Sequence, residues 1–206
     1  KIQTLWTVHD AARLKAQAQT LKTALIVGGG FIGLEMAENL KEAGVDVTLV
    51  EAMDQVMAPL DYEMAQLVHQ ELKNKGIHLV LNDGVDSFED NEQGVKTTLK
   101  SGTQIQSDSI ILSIGVRPNS QLAKDAGLDI NQRGGIKVND SLQTTDPNIY
   151  AMGDVIEVND FIFGGKTMIP LAGPANKQGR IVANNIVGNK EIYKGTQGSS
   201  VAKIFD

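Results

Sequence analysis

Leu25-Ile26-Val27-Gly28-Gly29-Gly30-Phe31-Ile32-Gly33-Leu34-Glu35 is the stretch from which the rest of the chain is read. The apolar run from Ala24 to Val27 predicts a buried strand; it ends in glycines, and a helical pattern follows at once. In that setting Gly-x-Gly-x-x-Gly is a dinucleotide-binding signature, with Gly28, Gly30 and Gly33 in its glycine places. Gly28 permits the tight turn, Gly30 leaves bare backbone for a pyrophosphate, and Gly33 lets helix and strand approach closely. The free N–H groups of the helix's first turn, at the positive end of its dipole, then face the anion.

The flanking residues complete a βαβ unit. Gly33, Ala37, Leu40 and Gly44 fall at helical spacing, and Gly44 sits where a helix stops. Val45 to Val50 is a second β-rich run, ending in Glu51, about 20 residues beyond the fingerprint, where a ribose-binding acid belongs. Ala52 to Leu60 reads as a loop in which Met53, Val56 and Met57 either form an apolar wall for an adenine or cover the domain edge.

The chain has 206 residues, a net charge of −6, ordinary hydrophobic content and no cysteine. The acidic balance and the lack of a Lys/Arg cluster speak against nucleic acid and against an acidic membrane surface. No apolar run approaches the roughly 18–20 residues of a membrane span. Without cysteine there is no disulfide, no cysteine-ligated zinc and no thiol nucleophile in this chain, in keeping with a cytoplasmic location. The opening Lys1-Ile2-Gln3 has no signal-peptide pattern and no Met, as in a processed or excised chain.

In chain order, Thr7 to Lys22 predicts a helix with an Ala11, Leu14, Ala18, Leu21 stripe and Asp10 as its cap. Asp61 caps a second helix whose stripe is Met64, Leu67, Val68 and Leu72, and Ile77 to Leu81 is a third parallel strand. Val85 to Glu89, Val95 to Leu99 and Gln104 to Gln106 are short segments between turns, predicting an antiparallel meander in the crossover, over one edge of the sheet. Ser109 to Ile114 is a further buried strand, closed by Gly115-Val116-Arg117-Pro118.

A domain boundary is placed at Asn119, where the composition becomes looser. Beyond it, Ile136 to Val138 and Ile149 to Met152 read as short strands, and Phe161 to Thr167 as a hairpin. Pro174 marks a helix start, with Ala175, Gly179, Val182, Ala183 and Ile186 as its buried face. Val201 to Phe205 is a β-like run with no hairpin partner.

Three blocks carry a resemblance to a family: Val27 to Glu35, Ile111-Leu112-Ser113-Ile114-Gly115-Val116-Arg117-Pro118-Asn119, and Thr144-Thr145-Asp146-Pro147-Asn148-Ile149-Tyr150-Ala151-Met152-Gly153-Asp154. Together they resemble the middle of a pyridine nucleotide-disulfide oxidoreductase, in the branch containing coenzyme A-disulfide reductase, NADH oxidase and NADH peroxidase. The resemblance implies an α/β fold with a Rossmann-like NAD(P)-binding domain over residues 1–118. It further implies the later part of an FAD-binding domain over 119–192 and the start of an interface domain over 193–206, through which the parent dimerises with a second copy. It makes Gly153-Asp154 part of a flavin motif, with Asp154 on the ribityl chain; on residues alone, Asp154 is a strand-end acid capping its own turn. The segment from Pro170 to Arg180, with Leu171, Ala172 and Gly173, would reach the flavin ring through a helix N-terminus.

By the same resemblance Phe31 lies near the flavin and Glu35 near the nicotinamide; on residues alone Phe31 covers the sheet edge and Glu35 is a first-turn acid favoured by the dipole. Gly29, Ile32 and Gly115 complete the candidate cofactor contacts. His9, His69 and His78 match no ligand or triad spacing and read as surface or packing residues. The family's earlier glycine fingerprint and redox cysteine do not occur in these residues. The expected function is therefore that of a fragment of an FAD-dependent oxidoreductase, with NADH preferred over NADPH and FAD held in the intact parent. The electrons pass to a disulfide, oxygen or peroxide, and the fragment alone is inactive. The competing reading is a stand-alone NAD(H)-binding module without catalysis. A single-domain dehydrogenase lacks a convincing acid–base set.

Overall fold

The computed structural model describes residues 1–205, which form two compact units: Lys1–Gly115 with the tail 202–205, and Val116–Val201.

In the first unit, β1 (Ile2–Thr4), α1 (Val8–Ala18), β2 (Thr23–Val27), α2 (Phe31–Glu42), β3 (Asp46–Val50), α3 (Tyr62–Asn74) and β4 (His78–Val80) precede a meander. The meander comprises β5 (Val85–Asn91), β6 (Gly94–Leu99) and β7 (Gln104–Ser107), and β8 (Ser109–Leu112) follows. Five strands form a parallel sheet in the order β1-β8-β2-β3-β4. The central strands are buried on both faces, which is why they read as unbroken apolar runs rather than alternating ones. Ala24, Ile26, Val47, Leu49 and Ile111 share a core with Leu14, Leu34, Leu40 and Leu72 of the three helices. Their sequence neighbours Leu25, Val27, Val50 and Ile110 pack on Val95 and Leu99 of the meander. Each such fully buried aliphatic side chain contributes about 1.5–3 kcal/mol relative to exposure.

Several expectations are corrected here. Ahead of the first helix, where the sequence pattern shows no element, lies the strand β1, too short at three residues to show a period. Thr7, not Asp10, is the N-cap of α1; Asp10 is the return member of a capping box, and the Thr7 N–H and hydroxyl hold its carboxylate at a pKa of about 2. The antiparallel meander covers a face of the sheet, over β2 and β8, rather than an edge. In α3, Met64 and Leu67 are exposed, and the buried face is Ala65, His69 and Leu72.

Asp108 ties the start of β2 to the start of β8. Its Oδ2 accepts from the N–H groups of Lys22 and Thr23, both at 2.9 Å. These donors, Thr23 first, lower its pKa below the ordinary 3.8, against an opposing effect of burial. The bonds favour the ionised form, so the stability they bring is present above pH 3.8 and is lost as pH falls through the lower folded value. Asp108→Asn is accordingly expected to lower the urea midpoint at neutral pH, with the gap from wild type closing as the carboxylate protonates; a gap independent of pH would contradict this account.

The second unit holds α4 (Gln121–Asp125), a single 3-10 turn at Gly153–Val155, the two-residue strands β9 (Val158–Asn159) and β10 (Lys166–Thr167), and α5 (Ala172–Ile186). Leu142, Ile156, Val158, Ile181, Val182 and Tyr193 are central to its core. The strands expected around Ile136 and Tyr150 are only isolated bridges, Ile136 to Ile130 and Ile156, and Tyr150 to Gln143. The hairpin forms from β9 and β10, with Phe161 to Gly165 at its tip. In α5 the buried residues are Gln178, Ile181 and Val182, while Ala183 and Ile186 face outward. The expected β-like run at the tail is no strand: Ile204 and Phe205 pack into the helix-side core of the first unit, with the Lys75 ammonium 5.5 Å from the Phe205 ring centre. Asp206 lies outside the described residues.

Candidate functional site

The glycine turn lies at the carboxyl ends of β2, β3 and β8. Gly28 donates to Val50 O at 2.8 Å, and Ser113 donates to Val27 O at 2.8 Å. Three glycines there do three different things. Gly28 has φ +106°, and a Cβ added to it would lie 2.4 Å from the Ser113 carbonyl oxygen. A Cβ on Gly33 would lie 1.9 Å from the Gly28 carbonyl oxygen, so α2 can sit this close to the turn only without one. Gly30, the N-cap of α2, has nothing within 4 Å of that position. The first i→i−4 bond of α2 is Leu34 to Gly30, so the N–H groups of Phe31, Ile32 and Gly33 lie ahead of it, beside open space.

Glu51 is part-buried at the end of β3. Its Oε2 accepts from the Gly29 N–H at 2.7 Å and its Oε1 from the Met53 N–H at 2.9 Å. Two backbone donors thus fix the orientation of this carboxylate, and each oxygen keeps a lone pair for a further donor.

A cleft of about 600 Å³ opens here, with Gly28, Gly30, Glu51, Ser113 and Gly115 among its walls. The Ser113 hydroxyl is buried and, among the described residues, has no hydrogen-bond partner, as is also true of the Thr97 and Ser107 hydroxyls. The sequence reading missed Ser113, and also the far wall, where Gly84, Val85, Asp86, Phe88 and Lys100 come from β5, the loop before it and the end of β6. No local signal marks them; the meander's packing brings them there. Of the loop candidates, Val56 and Met57 are buried in the core beneath the turn and Met53 is exposed, and none of the three lines the cleft. Phe31 and Glu35 are exposed on the first two turns of α2, and Ile32 packs against the core.

In the second unit, the Gly153 N–H donates to the buried Gln178 Oε1 at 2.7 Å, which explains the polar residue on the inner face of α5. Gly153 takes φ +80°, and a Cβ there would lie 3.8 Å from that of Ala175 in the first turn of α5. Asp154, next in the turn, is exposed and, among the described residues, its carboxylate has no partner. The helix begins at Ala172, after Leu171 as N-cap, so Pro174 is its third residue rather than its first. The N–H groups of Ala172 and Gly173 stand ahead of its first i→i−4 bond, Ala175 to Leu171. An unpaired carboxylate and free helix-start donors within one unit suit a ligand with hydroxyls and a polar ring edge.

Residues 1–179 match the family model described as pyridine nucleotide-disulphide oxidoreductase. The chain is 37% identical over 186 residues to a coenzyme A disulfide reductase of Staphylococcus haemolyticus, covering 90% of the chain and 41% of that protein. Among solved structures, reduced Bacillus anthracis CoADR-RHD matches with a TM-score of 0.94 and 54% identity, over 99% of this chain and 37% of that one. The water-forming NADH oxidase from Lactobacillus brevis bound to NADH matches with a TM-score of 0.92 and 32% identity, over 99% of this chain and 45% of that one. The chain thus spans less than half the length of these relatives.

Proposed function

The chain belongs to the pyridine nucleotide-disulphide oxidoreductase family, and from that premise we propose that its first unit binds NADH and its second supplies part of a flavin site. The observation that carries this reading is the cleft, where open space beside Gly30 meets a carboxylate fixed by two N–H groups. The first-turn N–H groups of α2 bind the pyrophosphate, and Glu51 accepts from the ribose hydroxyls through its remaining lone pairs. In the second unit, Asp154 takes the ribityl hydroxyls, and the Ala172 and Gly173 N–H groups face the polar edge of the ring. Flavin, once bound, would supply the acceptor for the hydride carried by NADH. The bound flavin would supply redox chemistry toward a disulfide, oxygen or peroxide, and the thiol chemistry of such a reaction would need groups other than these 206 residues, which contain no cysteine.

The cofactor preference follows from Glu51. A 2′-phosphate would bring like charge against its carboxylate, at a cost of about 1–3 kcal/mol in a partly desolvated site, or roughly tenfold in affinity. No arginine lies in the loop from Ala52 to Leu60 to offset this. Lys100, which with Ala52 lies against Gly84, is a cation on the cleft wall and keeps the preference modest. Calorimetric titration is expected to show NADH binding more tightly than NADPH, and Glu51→Gln to bring the two together. Equal affinities in wild type would overturn the assignment of Glu51.

A further inference from the structure

The loop between β3 and α3 is stitched to the glycine turn. The Met57 N–H donates to Gly29 O at 2.8 Å, the Gly29 N–H donates to Glu51, and Val56 packs so closely beneath Gly29 that an added Cβ would lie 2.7 Å from its Cγ1. The fixed point of this loop on α3 is a histidine that the nucleotide chemistry does not use. His69 is only 4% exposed, and its Nε2 accepts from the Val56 N–H at 3.1 Å. A backbone N–H can only donate, so Nε2 carries no hydrogen. The ring hydrogen is then on Nδ1, 3.2 Å from the Gln66 Oε1 that accepts it.

We propose that His69 is a positioning residue for the nucleotide site, holding Val56, and through it the Gly29 turn and Glu51, in the arrangement that receives the dinucleotide. The proposal rests on the nucleotide reading given above. A protonated ring would turn an N–H toward the Val56 N–H and break the latch. Burial lowers the pKa of His69 from the ordinary 6.5; Lys73, one turn along α3, lowers it further, and Asp54 in the loop opposes this. The neutral form is the folded form, so the latch is intact above 6.5 and is lost as pH falls through the lower folded value. Nucleotide affinity follows the same sign.

The test is calorimetric titration of NAD⁺ into the full chain between about pH 7.5 and about pH 5.5, for wild type, His69→Gln and His69→Leu. Wild-type affinity is expected to fall toward the acid end. His69→Gln offers an amide oxygen to Val56 without titrating, so it is expected to bind like wild type at the upper pH and to have a flat profile. His69→Leu leaves the buried Val56 N–H unpaired and is expected to lose about tenfold or more at every pH. In parallel, without nucleotide, ring nitrogen shifts should report a bare Nε2, and amide exchange at Val56 should be slow in wild type and His69→Gln but fast in His69→Leu. Failure of wild type to bind NAD⁺ at all would defeat the nucleotide reading and this proposal with it. Binding with equally steep profiles for wild type and His69→Gln, or a Val56 amide that exchanges alike in all three, would defeat the role of His69 alone.

Discussion

With Gly30 replaced by alanine, NADH affinity is expected to fall by about 100-fold while the thermal midpoint barely moves. Nothing lies within 4 Å of the new Cβ, and the φ of −78° suits any residue. The protein therefore accepts the methyl group, with at most a weaker N-cap. The pyrophosphate does not, because the methyl occupies the space through which phosphate oxygens reach the first-turn N–H groups. Losing two charge-assisted bonds at about 1.5 kcal/mol each gives the stated factor. Gly28→Ala is expected to do the reverse, acting first on the fold. Its φ of +106° puts the new Cβ 2.4 Å from the carbonyl oxygen of Ser113, the residue just after β8, whose N–H is tied to Val27 O and whose backbone cannot yield cheaply. Backbone strain of about 1–3 kcal/mol and overpacking of about 1–3 kcal/mol add to roughly 2–6 kcal/mol. The midpoint should then drop by roughly 5–20 °C. Thermal unfolding and calorimetry on both variants separate the two effects. If Gly30→Ala binds NADH like wild type, the pyrophosphate does not sit at the start of α2, and the reading of the cleft is wrong.

The contrast between these glycines was legible in the sequence because each role depends on residues a few positions away. Strand, turn, helix, strand and acid follow one another from Ala24 to Glu51, and the βαβ unit is assembled from that one stretch. Where burial is decided at a distance, the pattern misled. Gln178 faces inward because Gly153, 25 residues earlier, needs an acceptor for its N–H. His69 is buried because Val56 has the same need, and the inner face of α3 therefore includes a polar side chain while Met64 and Leu67 stay outside. Hydrophobic periodicity carries no trace of either demand. The meander shows the same division: its turns and alternation fixed three antiparallel strands, but which surface of the sheet they cover depends on Leu25, Val27 and Ile110 offering an apolar face. Ser113 and Lys100 join the walls of the cleft only once that packing is known.

The same reasoning about what lies within these residues leads to an all-or-none expectation. Purified by itself, the 206-residue chain is expected to be colourless, to bind NADH, and to pass no electrons from NADH to a dye. On the reading proposed above, the nucleotide's contacts come from the first unit: the turn, Glu51 and the end of β8. The second unit offers a flavin the exposed Asp154 carboxylate and the first N–H groups of α5, which suit a ribityl chain and a ring edge. It offers the diphosphate nothing comparable. The chain has a single Gly-x-Gly-x-x-Gly, and the first unit uses it. A diphosphate anchor of three charge-assisted bonds, at about 1.5 kcal/mol or more each, is worth upwards of a thousandfold in affinity. A flavin held without one is lost on the first column. Absorbance of the purified chain, and dye reduction with NADH before and after FAD is added, measure this directly. A yellow chain that reduces dye would mean that the diphosphate is anchored by residues given no such part here, and the division of labour between the two units would have to be redrawn. A colourless chain that also fails to bind NADH would remove the nucleotide assignment itself, because that assignment draws only on residues of the first unit.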